Sequence, residues 1–208
     1  MEYLFLKCYE FLAVLLPFLV TFLILSQIYK HKKITVSKWH FFMILAFAVY
    51  IFFVFYFTGI GTIFDLHRYG IEMNSHQINL LPFSRHIDTV AYLLNILLLM
   101  PFGFLVPLIW PNTNKPASIV LSGLSFSLLI EISQLFNFRQ TDIDDIVLNT
   151  LGALIGYLLF KLIFRIQGRI NSSVNHFKIE PIIYVLFLFL GHFLLFDELG
   201  FAKILYGF

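Results

Sequence analysis

Six apolar runs, each long enough to cross a bilayer as a helix, follow one another along the chain with only short polar connectors between them. They are Cys8 to Tyr29, Trp39 to Ile60, Thr89 to Trp110, Ala117 to Phe136, Ile146 to Phe164 and Pro181 to Leu199. A spanning helix needs roughly 20 mainly apolar residues, because its backbone finds no water in hydrocarbon and must bond to itself. The sequence therefore predicts an all-α, polytopic membrane helix bundle, read as a single membrane domain over residues 1–208. Composition agrees, since 60% hydrophobic residues with 27 Phe exceed what one soluble core can hide. The first run is longer than a signal-peptide core and lacks a clear small-x-small cleavage site, so it reads as retained. With one cysteine, Cys8, no intramolecular disulfide and no cysteine-based metal site are expected.

Basic residues give an orientation. With six spans, one side of the membrane holds Lys30, Lys32, Lys33, Lys38, Lys115, Lys161, Arg165, Arg169 and Lys178, nine of the 14 Lys and Arg. The other side holds Lys7, Arg68, Arg85, Arg139 and Lys203 together with both termini. The positive-inside rule then places both termini, the long second loop and the Phe136 to Asp145 connector outside. A net charge of +2 is modest and the basic residues are explained by topology, so no nucleic-acid partner is expected, only membrane lipids.

The stretch from Glu131 to Gly156 sets acids, amides and an arginine between two of these apolar runs. A carboxylate buried in hydrocarbon without a partner costs at least several kcal/mol, so each such group raises a functional question. On the fifth segment Asp142, Asp145, Asn149, Gly152 and Gly156 fall on one helical stripe, polar at the outer end and glycine deeper. Glycines four apart let a neighbouring helix approach closely, so the stripe is expected to face protein. On the fourth segment Ser127, Glu131 and Gln134 share a face, with Glu131 roughly 8 Å below the outer end. On the third, Asn95 lies at about the same depth, ahead of Pro101 and Gly103. Pro101 frees the Leu97 carbonyl, which predicts a kink or local unwinding where the backbone faces protein or a wet cavity. Arg139 is the expected fork onto Glu131, with Asp142 or Asp145 competing, while Arg85 and His86 would complete the surface.

These residues carry a resemblance. The runs N-I-L-L-L-M-P-F-G-F from Asn95, I-E-I-S-Q from Ile130 and R-Q-T-D-I-D-D-I-V-L-N-T-L-G-A-L-I-G-Y from Arg139 resemble the VanZ-like family of bacterial membrane proteins. I-N-L-L-P-F at Ile78 to Phe83 is similar to the family's polar segment before the first motif. The match covers about residues 40–160, a core of the second to fifth segments, leaving 8–29 and 181–199 as additional helices. The resemblance implies low-level resistance to teicoplanin and related lipoglycopeptides in Gram-positive bacteria, without a molecular mechanism. The positions it carries over are Asn79, Pro82, Asn95, Pro101, Gly103, Glu131, Gln134, Arg139, Asp142, Asp145, Asn149, Gly152 and Gly156.

Plainer roles compete at each position. Glu131 with Arg139 can be a structural ion pair, Asp142 or Asp145 a helix cap, and Asn95 and Asn149 interhelical glue. Gly152 and Gly156 serve packing, Pro101 with Gly103 a kink, and His192 a satisfied buried histidine. Trp39 and Trp110 read as interface anchors. Three function classes remain. A binder or sensor would engage an outer-leaflet amphiphile, the lipoglycopeptide or an envelope lipid, with amides and guanidinium suited to a lipid-linked phosphate or sugar. An intramembrane enzyme would use Glu131, Asp142, Asp144 and Asp145 as acid and base or on a hard cation, yet no lipid-phosphatase or aspartyl-protease signature is present, and Ser122 with Ser125 lacks a histidine. A transporter or flippase would need paired halves, absent here unless a homodimer supplies the symmetry. The binder ranks first; no cofactor and no metal are expected.

Overall fold

The computed structural model describes residues 2–34, 36–70, 77–84, 88–167, 177 and 179–207. It is almost wholly helical: α1 (Glu2–His31), α2 (Lys38–Thr58), α3 (Ile63–Tyr69), α4 (Thr89–Ile109), α5 (Pro116–Gln134), α6 (Ile143–Gln167), α7 (Glu180–Leu195) and α8 (Glu198–Tyr206). Two two-residue strands, β1 (Ile78–Asn79) and β2 (Thr141–Asp142), pair in parallel. Among the described residues five helices are long and apolar enough to cross a membrane, and the bent pair α7 and α8 makes a sixth if counted as one span. The chain clusters into two compact units, Met1–Glu72 with Ile182–Phe208, and Met73–Pro181.

In the first unit, α1 runs through Pro17 without interruption, and α7 lies close against it. A Cβ added to Gly191 would stand 2.3 Å from Pro17 Cγ and 2.6 Å from the Ala13 carbonyl oxygen. Aromatic rings fill the remaining contacts, Phe18 with Tyr184 and Phe22 with Phe41 among them. Buried among them is a charged group absent from the reading of the sequence. Glu10 Oε2 accepts from Lys7 Nζ at 2.9 Å, and Glu10 Oε1 lies 3.5 Å from Nε2 of the buried His192. His192 is thus beside an acid at ion-pair distance.

The last apolar segment is not one helix to Leu199. The Tyr9 hydroxyl donates to the Leu195 carbonyl and accepts from the Asp197 amide, and Asp197 then caps α8 through Gly200 N at 2.9 Å. These bonds end one helix and start the next, bent by 44°. Arg68 holds the break from α3, its Nη2 2.6 Å from Asp197 Oδ1. The 16 residues of α7 measure only about 24 Å, short of a hydrocarbon core of about 30 Å, so α8 supplies the missing length if the pair spans.

The second unit rests on backbone contact between α4 and α6. A Cβ on Gly152 would fall 2.1 Å from the Ile96 carbonyl oxygen, one on Gly156 1.9 Å from that of Met100, and one on Gly103 1.8 Å from that of Ala153. The partners 96 with 152 and 100 with 156 rise together, so the two helices run parallel and lock in steps of four residues. Cα–H to carbonyl contacts of this kind suit a solvent with no hydrophobic drive between helices. On α5, Gly123 sits over the Ala153 Cβ, and Phe126 stacks on Phe102 at 5.3 Å.

Local unwinding at Pro101 and an interfacial Trp110 are both expected in this unit, and neither is found. α4 stays helical through both Pro101 and Pro107, and Pro101 and Leu97 lie on its exposed face, not toward protein or a cavity. The helix accommodates the missing donor without unwinding. Trp110 is buried in the unit, where it cannot anchor an interface, whereas Trp39 is exposed.

Because the atoms facing Gly103 and Gly156 are backbone, they cannot swing aside. Gly103→Ala and Gly156→Ala should each cost at least ~2 kcal/mol in reversible unfolding in mixed micelles, against ~0.5 kcal/mol or less for the exposed Leu158→Ala. Unfolding midpoints equal to wild type for both glycine variants would disprove the contact.

Candidate functional site

At the N-terminal ends of α4 and α6 the chain builds a polar cluster in three levels. The outermost is made by the connector before α4. Pairing of β1 with β2 sets Asn79 beside Asp142, and Asn79 Nδ2 donates to both Asp142 carboxylate oxygens at 3.2 and 3.1 Å. Asn79 Oδ1 meanwhile accepts from Leu81 N and Ser84 Oγ, which closes the turn containing Pro82. Phe83, left-handed at φ 54°, presents its amide to Asp144 Oδ1 at 2.9 Å. The other Asp144 oxygen accepts from the Tyr92 hydroxyl at 2.6 Å, and the Phe83 and Tyr92 rings meet edge to face.

The middle level joins all three helices of the unit. Asp142 Oδ1 accepts from the Asp144 amide, the cap expected of an acid at this place. Asn95 Nδ2 on α4 donates to Asp145 on α6. Glu131, 2% exposed near the end of α5, takes the Asp142 amide on Oε2 at 3.2 Å, while its own carbonyl accepts from Thr141 Oγ1 at 3.0 Å. One turn deeper, Asn149 Nδ2 donates to Ser127 Oγ at 3.0 Å, and Asn149 Oδ1 is buried without a donor. Beneath it begin the glycines, Gly152 and Gly156, whose contact with α4 fixes these heights.

The structure thus gathers Asn79, Asn95, Glu131, Asp142, Asp145 and Asn149, with Pro82 in the turn and Gly103 in the packing below. Gln134 is buried at the end of α5, its carbonyl accepting from the Arg139 amide at 3.2 Å. Arg85 and His86 lie outside the described residues. The expected fork of Arg139 on Glu131 does not form. Phe138 takes a left-handed conformation, φ 59° and ψ 17°, which turns the chain so that Arg139 bonds back through its amide and leaves its side chain exposed. The Asp142 amide has the place the guanidinium was expected to fill. Arg139 still acts on Glu131 and Asp145 through space.

Two residues escaped the stripe argument. Asp144, 2% exposed, is buried off the stripe because the loop at Phe83 folds over it, a contact that no helical spacing announces. Tyr92 precedes Asn95 by three residues on α4, so the face-sharing rule that found Asn95 had the signal for it. Four carboxylates therefore crowd within two turns, with amides and one phenol among their donors. Among the described residues no three His, Cys, Asp or Glu are placed to hold a metal ion. Ser122, Ser125 and Ser133 do not face a base, since their hydroxyls donate to carbonyls of their own helix.

The VanZ/LLP1 family model matches residues 41–165, which takes in every residue of the cluster. Protein VanZ of Enterococcus faecium is 28% identical over 115 residues, covering 53% of this chain and 65% of that protein. The chain therefore spans less than two thirds of this relative's length. No solved structure matches it. A family match over more than half of the sequence, holding the loop, the acids and the packing glycines in one span, makes this chain a member of the VanZ/LLP1 family.

Proposed function

We propose that this protein lies in the plasma membrane of a bacterium as a multi-pass protein with both termini outside. There it confers low-level resistance to teicoplanin and related lipoglycopeptides by binding or sensing an amphiphile, the drug itself or an envelope lipid, through the cluster of Asn79, Asn95, Glu131, Gln134, Arg139, Asp142, Asp145 and Asn149. The observation that carries this reading is the burial of acids and amides at one end of three apolar helices, within the family-matched stretch. Polar groups there are costly to retain unless something uses them. An amphiphile fits the surroundings too, because Leu80 and Leu81, each 70% exposed, stand in the same loop as Asn79. The polar head would meet the cluster while the tail follows the apolar loop and helix surface. Binding without turnover is favoured over catalysis because the hydroxyls of Ser122, Ser125 and Ser133 are held by carbonyls of their own helix.

Orientation can be read by labelling. In a Cys8→Ser background, which removes the exposed native thiol, Ser84→Cys should react with a membrane-impermeant maleimide on intact cells, and Lys115→Cys only after permeabilisation. The reverse pattern would put the cluster inside and end the proposal as stated. Function is read by growth in teicoplanin, with vancomycin as the tail-less control. Wild type should protect against teicoplanin alone, whereas Glu131→Gln, Asp145→Asn and Tyr92→Phe, at matched membrane levels, should lose most of that protection. Equal protection by all three variants would make the cluster scaffold.

A further inference from the structure

The turn between β1 and α4 combines an apolar surface with a backbone that needs no water. Its side chains are large and exposed, Leu80 and Leu81 at 70% each and Phe83 at 53%. Its backbone groups find partners within the chain. The Leu81 N–H donates to Asn79 Oδ1 at 3.2 Å, the Leu81 carbonyl accepts from Ser84 Oγ at 2.7 Å, and the Phe83 N–H donates to Asp144 Oδ1 at 2.9 Å. Pro82 has no N–H, so every amide donor from Leu81 to Phe83 has a protein acceptor. The orientation of the Asn79 carboxamide is fixed by its partners. Turned over, its oxygen would face the Asp142 carboxylate and its nitrogen the Leu81 N–H, and both sets of bonds would be lost. Water solvates an open turn, whereas hydrocarbon offers an unpaired backbone group nothing. Exposed leucines on a closed backbone therefore suit lipid.

The depth of the turn follows from what it touches. The 21 residues of α4 measure about 32 Å, which matches a hydrocarbon core of about 30 Å and sets the first turn of α4 at its edge. Phe83, left-handed at φ 54°, brings the chain back to that level. Its amide meets Asp144, the second residue of α6, and its ring lies 6.1 Å from that of Tyr92, three residues past the start of α4. Phe83 thus stands alongside the helix ends, not above them. On either side of Tyr92 in sequence, Val90, Leu93 and Leu94 are exposed and carry the same apolar surface down the helix. We propose that Leu80, Leu81 and Phe83 are seated among acyl chains at the headgroup boundary of the leaflet on the cluster's side, as an interfacial anchor for this end of the unit. The bilayer is the occupant because the surface is continuous with that of a spanning helix and no charged residue interrupts the chain from Asn79 to Ser84. The anchor goes beyond the ligand reading and does not rest on it, since it needs neither a bound amphiphile nor a choice of membrane side.

Spin labels test this in the full chain, reconstituted in phosphatidylcholine vesicles in the Cys8→Ser background. Leu81→Cys, Leu94→Cys on the exposed face of α4 and Gln140→Cys in the exposed α5 to α6 connector each carry one nitroxide. Its collisions are measured with oxygen, which concentrates in hydrocarbon, and with a nickel chelate, which stays in water. The oxygen-to-nickel ratio at position 81 should lie several-fold above that at 140 and close to that at 94. A ratio equal to that at 140 puts the turn in water and overturns the anchor. Few collisions with either reagent put protein over the turn and also overturn it; spin–spin broadening then identifies a second copy, and its absence another part of the same chain. Asn79→Ala removes the acceptor of the Leu81 N–H, so nickel collisions at position 81 should rise several-fold. No rise would overturn the role given to the closed backbone. If Asn79→Ala does not fold, the three labelled positions decide alone.

Discussion

Everything in the second unit depends on how closely α4 and α6 approach. In water two helices are pressed together by hiding apolar surface, but hydrocarbon offers no such gain, and contact must come from fit. Here the fit is backbone on backbone, with the carbonyls of Ile96, Met100 and Ala153 occupying the places that Cβ atoms of Gly152, Gly156 and Gly103 would take. Such a contact tolerates no slip smaller than a helical turn. It therefore fixes the heights of Asn95 and Tyr92 against Asp145 and Asp144, several residues away, and makes the polar cluster a consequence of packing below it.

The parallel course of the two helices has an electrostatic result. Two positive helix ends come together, and both are answered by acids: Asp88, which caps α4 through Val90 N and Ala91 N, and Asp142, which caps α6 through Asp144 N. Asp144 and Asp145 add to the same field. α5 runs the other way and contributes its negative end with Glu131 close to it. The cluster thus holds two kinds of acid, some favoured by the helix ends they occupy and one opposed by it.

The sequence made the spans legible because an apolar run of bilayer length has few other readings, and the glycine stripe because a four-residue repeat of Gly in such a run has one common use. Asn95, Glu131 and Asn149 were found by shared helical faces, a rule that works inside helices. It fails where a loop decides. Asp144 is buried by Phe83 across 61 residues of sequence, and the β1 and β2 pairing that makes this possible is two residues long on each strand. The Glu131 to Arg139 pair was inferred from charge and proximity in sequence, yet one left-handed residue, Phe138, redirected the arginine. The split of the last segment turned on Tyr9, nearly the whole chain away, whose hydroxyl bonds on both sides of the break.

The first unit supplies a comparison for Glu131. Glu10 is also a carboxylate buried in an apolar helix, 4% exposed, and the chain provides for it internally. Lys7 lies one turn away with its ammonium at 2.9 Å, and His192 stands by the other oxygen. The same Lys7 ammonium rests over the Tyr56 ring, 4.4 Å from its centre, so even its exposed side has a partner. Glu131 is more deeply buried and lies at the unfavourable end of its helix, yet its hydrogen bond comes from a neutral backbone amide. Removing one partner of a buried charge pair leaves an uncompensated charge, which is the costly arrangement, and at Glu10 both neighbours guard against it. The difference between the two acids is that Glu10 is held as an ion pair by a residue one turn away on its own helix, whereas Glu131 is held by a backbone amide from across the unit.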